Sequence, residues 1–343
     1  CYPGSYKKDN YTCLFSPADS MGLPYFTLDS FDLTGRTVLV RVDINSPIDP
    51  VEKRILGDNR IRQHAGTLRK LSGAKVVILA HQSRPGKSDF TSLGIHATRL
   101  SRILRRPVRF VDDLFGSRAR EAIGAMEAGD ILLLENVRFY SEEVTFKDGN
   151  MDRMKASHIV STLAPLADYF VLDAFAAAHR SQPTLVGFSE LLPTLAGEVM
   201  RRELESLGYI FSGAKRPVVA VLGGLKVDDS IEVMQNMLRN QVVDRILTTG
   251  VVGNIFLLAK GHDLGEPNMN FLESEVKGYQ LSVEIARKML EENGERIEVP
   301  VDLALNREGA REKLRVDELP AAHPIYDIGI DTIVRYIEFI REA

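Results

Sequence analysis

Short apolar, β-branched runs recur along the chain, each followed by polar residues and then by apolar positions at helical spacing. The first, VLVRVDIN over 38–45, ends in Arg41, Asp43 and Asn45, as a buried parallel strand does when it delivers polar groups at its carboxyl end. The same pattern predicts strands over 76–80, 108–111, 131–134 and 169–172, with helices over 60–71, 94–104 and 117–126 between them. Strands alternating with helices imply βαβ units and a doubly wound parallel sheet. Residues 191–211, LLPTLAGEVMRRELESLGYIF, carry apolar residues at helical spacing and predict a long helix. After a GAKRP turn at 213–217 a second series begins, with strands over 218–222, 245–248 and 299–305. Helices are expected over 230–240, near Asn254, and over 283–292 and 332–341. The pattern thus predicts an α/β protein of two doubly wound, Rossmann-like domains, one over 21–190 and one over 213–343, joined by a helix over 191–212.

Composition narrows the class. The 343 residues are 44% hydrophobic and 26% charged, an ordinary globular balance that excludes a disordered or fibrous chain. With a net charge of -4 there is no overall attraction to nucleic acid or to an anionic membrane, so any polyanion must meet a local cationic cluster. No apolar run reaches the roughly 18 residues that span a bilayer, and a cytoplasmic protein is expected. Both cysteines, Cys1 and Cys13, lie in residues 1–20, which have no period and read as a tag or disordered arm. The rest of the chain therefore has no thiol chemistry.

Basic residues follow four of the predicted strands: Arg41 with Asp43 and Asn45, His81 with Arg84, Arg138, and His179 with Arg180. A single arginine at a strand end more often just solvates a loop. Strand ends of a parallel sheet lie side by side, however, so this set would converge, and guanidinium forks suit carboxylate and phosphate. The ligand implied is a small acid bearing phosphate. Asp43 and Asn45, two apart on one strand face, could hold its hydroxyl. Arg60, at the start of a helix, is the candidate for following charge as it develops on a transferred group. Phosphoryl transfer to a carboxylate needs no base, so His81 and His179 read as positioning donors. In the second half, Gly223, Gly224 and Lys226 lie between a strand and a helix, and Gly250 and Gly253 follow the next strand. Bare backbone there could floor a flat base, and Lys226 could reach a phosphate. GKS at 86–88 is not a P-loop, because His81 stands where that motif needs glycine, and there is no GxGxxG.

The stretches VLVRVDINSP (38–47), DNRIR (58–62), AHQSRPG (80–86), LLLENVRF (132–139), DAFAAAHR (173–180), AVLGGLKVDDSI (220–231), VPVDLAL (299–305) and DIGIDT (327–332) resemble, in order, those of the phosphoglycerate kinase family in an archaeal-type form. The resemblance covers nearly everything from Phe31 onward. It implies reversible phosphoryl transfer between 1,3-bisphosphoglycerate and ADP, giving 3-phosphoglycerate and Mg-ATP, in a hinge-bending, monomeric enzyme. The amino-terminal domain would bind the glycerate through Asp43, Asn45, Arg60, His81, Arg84, Arg138 and Arg180. The carboxyl-terminal domain would bind the nucleotide, with Gly223, Gly224, Gly250 and Gly253 lining the adenosine pocket and Lys226 on the transferring phosphate; Arg60 and Lys226 would be the catalytic pair. Ser230 stands where many members carry a second lysine. The family's later NGP segment, ribose acid and GGGD turn with its magnesium aspartate are not in the sequence, so the second domain is expected to be incomplete, with no metal ligand in the given chain. Rival readings are a non-catalytic glycerate- or phosphate-binding module on the same fold, and a nicotinamide-dependent oxidoreductase, against which the missing fingerprint loop counts.

Overall fold

The apolar runs of the first half form one sheet because each is covered on both faces. The computed structural model of the chain describes residues 25–146 and 148–343, and the arm expected over 1–20 lies outside them. By its contacts the chain divides into two compact units, one ending at Glu205 and the other beginning at Ser206. In the first, strands β1 (Phe26–Thr27), β2 (Thr37–Arg41), β3 (Lys75–Leu79), β4 (Arg109–Val111), β5 (Ile131–Leu134), β6 (Tyr169–Leu172) and β7 (Thr194–Ala196) make a seven-stranded sheet. Its order is β1-β7-β6-β2-β3-β5-β4, and every neighbouring pair is parallel. Side chains alternate between the two faces. Val38, Val40, Val76, Ile78, Leu133 and Val171 pack in one core with Leu68 and Leu100. Their neighbours Leu39, Val77, Leu79, Leu132, Leu134 and Phe170 pack in another, with Ile123 and Leu163. An unbroken apolar strand is what two covered faces require.

The long helix differs from its expected span over 191–212. It runs Glu198–Ser212, and the residues before it supply β7 instead. Pro193 and Gly197 interrupt the helical pattern, and Leu195 is buried opposite Val171 of β6. The Asp173 carboxylate then takes the free main-chain N–H groups of Val199 and Met200 at 2.9 and 3.3 Å. A Cβ on Gly197 would overlap that carboxylate, so glycine is needed there. The division between the units falls within this helix.

The second unit holds β8 (Val219–Leu222), β9 (Arg245–Thr248) and β10 (Ile297–Glu298) in a parallel sheet of order β10-β9-β8. Helix Val227–Arg239 buries Val227, Ile231, Met234 and Leu238, one apolar stripe, against Ile246 and Phe256. The single strand expected over 299–305 is broken at Pro300, which has no N–H to give a ladder. Beyond Pro300 the chain forms an antiparallel sheet of β11 (Asp302–Arg307), β12 (Ala310–Arg315) and β13 (Ile325–Ile328), in the order β12-β11-β13. Glu308 and Gly309, both at positive φ, make the two-residue hairpin between Arg307 and Ala310. Among the described residues no helix is long and apolar enough to cross a membrane.

Buried Asp302 fixes the start of the last helix, Ile330–Glu342. Its oxygens accept from the Thr332 N–H and hydroxyl at 2.8 and 2.7 Å and from the Asp331 N–H at 3.0 Å. Burial alone would raise this carboxyl, but the bonds from Thr332 and Asp331, with Lys313 nearby, hold it below its usual range. Asp302→Ala should therefore cost about 2 kcal/mol in urea unfolding at neutral pH. Because the folded value is depressed, that difference is full above pH ~4 and fades as pH falls through the folded value; an equal loss at pH 7 and pH 2 would refute the cap.

Candidate active site

The carboxyl ends of β2, β3, β5 and β6 lie side by side, and their loops are tied to one another. Ser83 N–H donates to Asn45 Oδ1 at 2.9 Å, Val137 N–H to Ala80 O at 3.1 Å, and Asn136 Nδ2 to Gln82 O at 2.9 Å. An Arg138 guanidinium N–H reaches Ser83 O. Chain segments far apart in sequence thus hold one rim.

Behind the rim Arg41 is wholly buried, an expensive place for a charge unless it is compensated. Its Nε donates to Thr184 Oγ1 at 2.9 Å, and the Thr184 hydroxyl passes its own proton to Glu143 Oε1 at 2.7 Å. Glu143, equally buried, also accepts the Thr184 N–H at 2.9 Å and lies 3.8 Å from the Arg41 guanidinium. Burial pushes the Glu143 carboxyl up; Arg41 and Thr184 oppose it. The nitrogen nearest Glu143, Nη2, also faces His81 Nδ1 at 3.2 Å, and Nη1 donates to Val42 O at 2.7 Å. A guanidinium only donates, so Nδ1 accepts and the proton sits on Nε2. Burial, then the charges of Arg41, Arg138, Arg180 and Arg60, drive the His81 ring far below its ordinary value. It is a neutral Nε2–H donor.

The same field shows how closely the cations gather. Arg138 is held down to about 10 by burial and by Arg180 and Arg41, and still carries its charge at neutral pH. An anion in the rim would relieve the repulsion among these cations. Arg60, half exposed, donates to Asp43 Oδ2 at 2.8 Å, while Asp43 Oδ1 takes the Asn45 N–H at 3.2 Å. Below Asp43, His64 bridges its main-chain N–H at 3.1 Å and the buried Asp173 carboxylate at 2.6 Å.

In the second unit, Gly223 and Gly224 follow β8 and Gly250 follows β9. Gly224 has φ +103, and a Cβ on Gly250 would stand 3.3 Å from the Gly224 nitrogen. These two backbones pass bare against each other. Lys226 is exposed and has one long ion pair, to Asp229 at 3.9 Å.

The family profile described as phosphoglycerate kinase matches residues 28–343. The chain is 54% identical over 319 residues to the phosphoglycerate kinase of Methanothermobacter thermautotrophicus, covering 92% of this chain and 76% of that protein. It is 47% identical over 319 residues to that of Thermoplasma volcanium, at 93% and 78% coverage. The chain belongs to the phosphoglycerate kinase family. The crystal structure of phosphoglycerate kinase from Pyrococcus horikoshii OT3 matches with TM-score 0.84 and 39% identity, over 92% of this chain and 78% of that one. The structure of phosphoglycerate kinase from Coxiella burnetii matches at 0.72 and 28%, over 93% and 78%. Members of this family are phosphotransferases that use a phosphoglycerate and a nucleotide, and this chain is one of them.

Against that family's chemistry, the predicted residues are placed unevenly. Asp43, Asn45, Arg60, His81, Arg138 and Arg180 are joined by these bonds and fields. Arg84, His179 and Arg180 are all exposed; Arg180 Nε donates to His179 Nε2 at 3.4 Å, and among the described residues no side-chain bond ties Arg84 to the others. The loop residue Ser83, at φ +58, intervenes, and Arg84 points into no described contact. Gly253 is also buried, its Cβ position 3.2 Å from the Pro300 ring, so it serves the packing of helix Gly250–Ala259 rather than an open floor. Ser230 donates to Lys226 O at 3.0 Å, tightening the first turn of its helix in place of a second cation. Sequence reasoning missed Glu143, Thr184 and His64. Glu143 and Thr184 sit in segments with no strand-end signal, whereas His64, four residues after Arg60 on one helical run, was within reach of the periodicity argument.

The neutral His81 gives a direct check. Its ¹⁵N signals should stay those of the Nε2–H tautomer from pH 5 to 8; a transition near pH 6.5 would show that the guanidinium field has been misread.

Proposed function

We propose that this chain catalyses reversible phosphoryl transfer between 1,3-bisphosphoglycerate and ADP, giving 3-phosphoglycerate and ATP, a step shared by glycolysis and gluconeogenesis. The observation that carries it is the gathering of Arg60, Arg138 and Arg180 around a neutral His81 donor at the ends of four parallel strands. Planar, charged donors suit a phosphate and a carboxylate on one small molecule. Asn45, whose oxygen is taken by Ser83, offers its NH2 group, and Asp43 offers a carboxylate for a hydroxyl. The amino-terminal unit is thus read as the glycerate domain, over 21–190, and residues 213–343 as the nucleotide domain. Gly223, Gly224 and Gly250 let a base approach bare backbone, Gly253 packs the helix beside them, and Lys226 meets a phosphate as a point charge.

The phosphoryl acceptor at neutral pH is a carboxylate with no proton to lose, so the step needs positioning and charge stabilisation rather than a base. Arg60 supplies the second: it is half exposed and, among the described residues, tethered only through Asp43, free to follow negative charge on the transferring group. Arg84, on the exposed loop, is read as joining the phosphate once ligand is bound. Mg2+ is proposed as the partner of the ADP and ATP phosphates. Among the described residues no cluster of three or more acidic, histidine or cysteine side chains could cage it. The enzyme is further proposed to work as a monomer in the cytoplasm.

In a coupled assay, Arg60→Ala should lower kcat about 10³-fold with a small change in KM for 3-phosphoglycerate. An unchanged kcat would remove Arg60 from its role. Intact 3-phosphoglycerate binding with no turnover by the parent chain would favour the binding module instead.

A further inference from the structure

Five arginines, Arg62, Arg69, Arg99, Arg102 and Arg105, line a second cavity of about 500 Å3 on the amino-terminal unit. They come from helices Asn59–Gln63, Ala65–Lys70 and Gly94–Leu104 and from the residue that caps the last. This cavity is separate from the glycerate rim. Arg62 follows Arg60 by two positions, and about 100° of turn per residue sends their side chains to opposite faces of the helix. Arg60 reaches Asp43, whereas Arg62 reaches Asp58.

The charges here do not balance. Asp58 accepts from Arg62 at 2.9 Å and from Arg99 at 2.8 Å, so one carboxylate is shared by two guanidiniums. Among the described residues Arg69 has only a neutral partner, the Ile103 carbonyl at 3.2 Å. Arg102 and Arg105 are exposed, and among the described residues no bond or ion pair holds either side chain. Arg105 ends its helix in a left-handed backbone (φ +55), uncommon for a residue with a side chain, and so joins this wall. Unneutralised cations around a concavity repel one another, and an anion with several charges would relieve that repulsion. Guanidinium forks take phosphate oxygens two at a time.

We propose that this cavity is a binding site for a chain of linked phosphates, either inorganic polyphosphate or the phosphate tail of a free nucleotide. The cations surround a hollow rather than follow a stripe, and no aromatic ring lines it on which successive bases could stack, so a nucleic-acid strand fits it less well.

The test is calorimetric titration of tripolyphosphate into the whole chain at low salt, with saturating 3-phosphoglycerate to occupy the glycerate rim. The parent should bind, and Arg102→Ser/Arg105→Ser should bind about tenfold more weakly or worse. That variant should keep the parent's turnover when no polyphosphate is added, because neither residue belongs to the glycerate or nucleotide site. Repeating the titration with ATP and with adenosine separates the sources. A variant-sensitive component with ATP as well as tripolyphosphate means that nucleotide tails are accepted, and one with tripolyphosphate alone means a free polyphosphate. Failure of the parent to bind, or equal binding by parent and variant, overturns the proposal. So does a ten-nucleotide RNA that binds more tightly than tripolyphosphate and is lost in the same variant.

Discussion

A buried guanidinium is the constraint on which the amino-terminal unit depends. Arg41 lies at the end of a central strand with no access to water, and taking an arginine there costs several kcal/mol unless its donors and charge are met. The Val42 carbonyl takes one donor, and Thr184 and Glu143 meet the rest of the need through a relay in which the threonine hydroxyl accepts from the arginine and donates to the carboxylate. Residues 41, 143 and 184 are distant in the chain, so the relay also fixes where helices Ser141–Thr145 and Pro183–Val186 sit beneath the sheet edge. The Arg41 Nη2, aimed at Nδ1, decides which nitrogen of His81 carries the proton.

From that point the chemistry follows from electrostatics. The rim gathers more positive than negative charge in a partly buried place, and its own groups register the cost: His81 loses any tendency to protonate, and Arg138 holds its proton less tightly than an arginine in water. Such a site is incomplete without an anion. The sheet makes this economical, because parallel strands deliver their ends together and the loops then bind one another through Asn45, Ser83 and Asn136. Stability and ligand preference share the same groups.

Much of this was legible in the chain. Strand ends at Arg41, His81, Arg138 and Arg180 follow from runs whose apolar continuity signals two covered faces, and parallel pairing then requires them to converge. The illegible parts lay where tertiary partners override local pattern. Residues 191–197 carry helical spacing, yet Pro193, Gly197 and the pairing of Leu195 with β6 make 194–196 a strand. Pro300 likewise split a strand whose composition gave one continuous run. Glu143 was invisible for a different reason: its neighbours SEEVTF are those of an exposed turn, and only its buried partner explains it. Arg84 shows the reverse, a strand-end cation that the loop leaves outside the described contacts.

The central claim is that a buried relay behind the rim sets the geometry of the rim. Thr184→Val keeps the shape of the side chain and removes the hydroxyl, whereas Thr184→Ser keeps the hydroxyl. Calorimetric titration of 3-phosphoglycerate into both variants tests the claim most directly. The serine variant should bind like the parent and the valine variant about tenfold more weakly, as one unmet buried donor costs enough to displace its neighbours; equal affinity in the two variants would contradict the account.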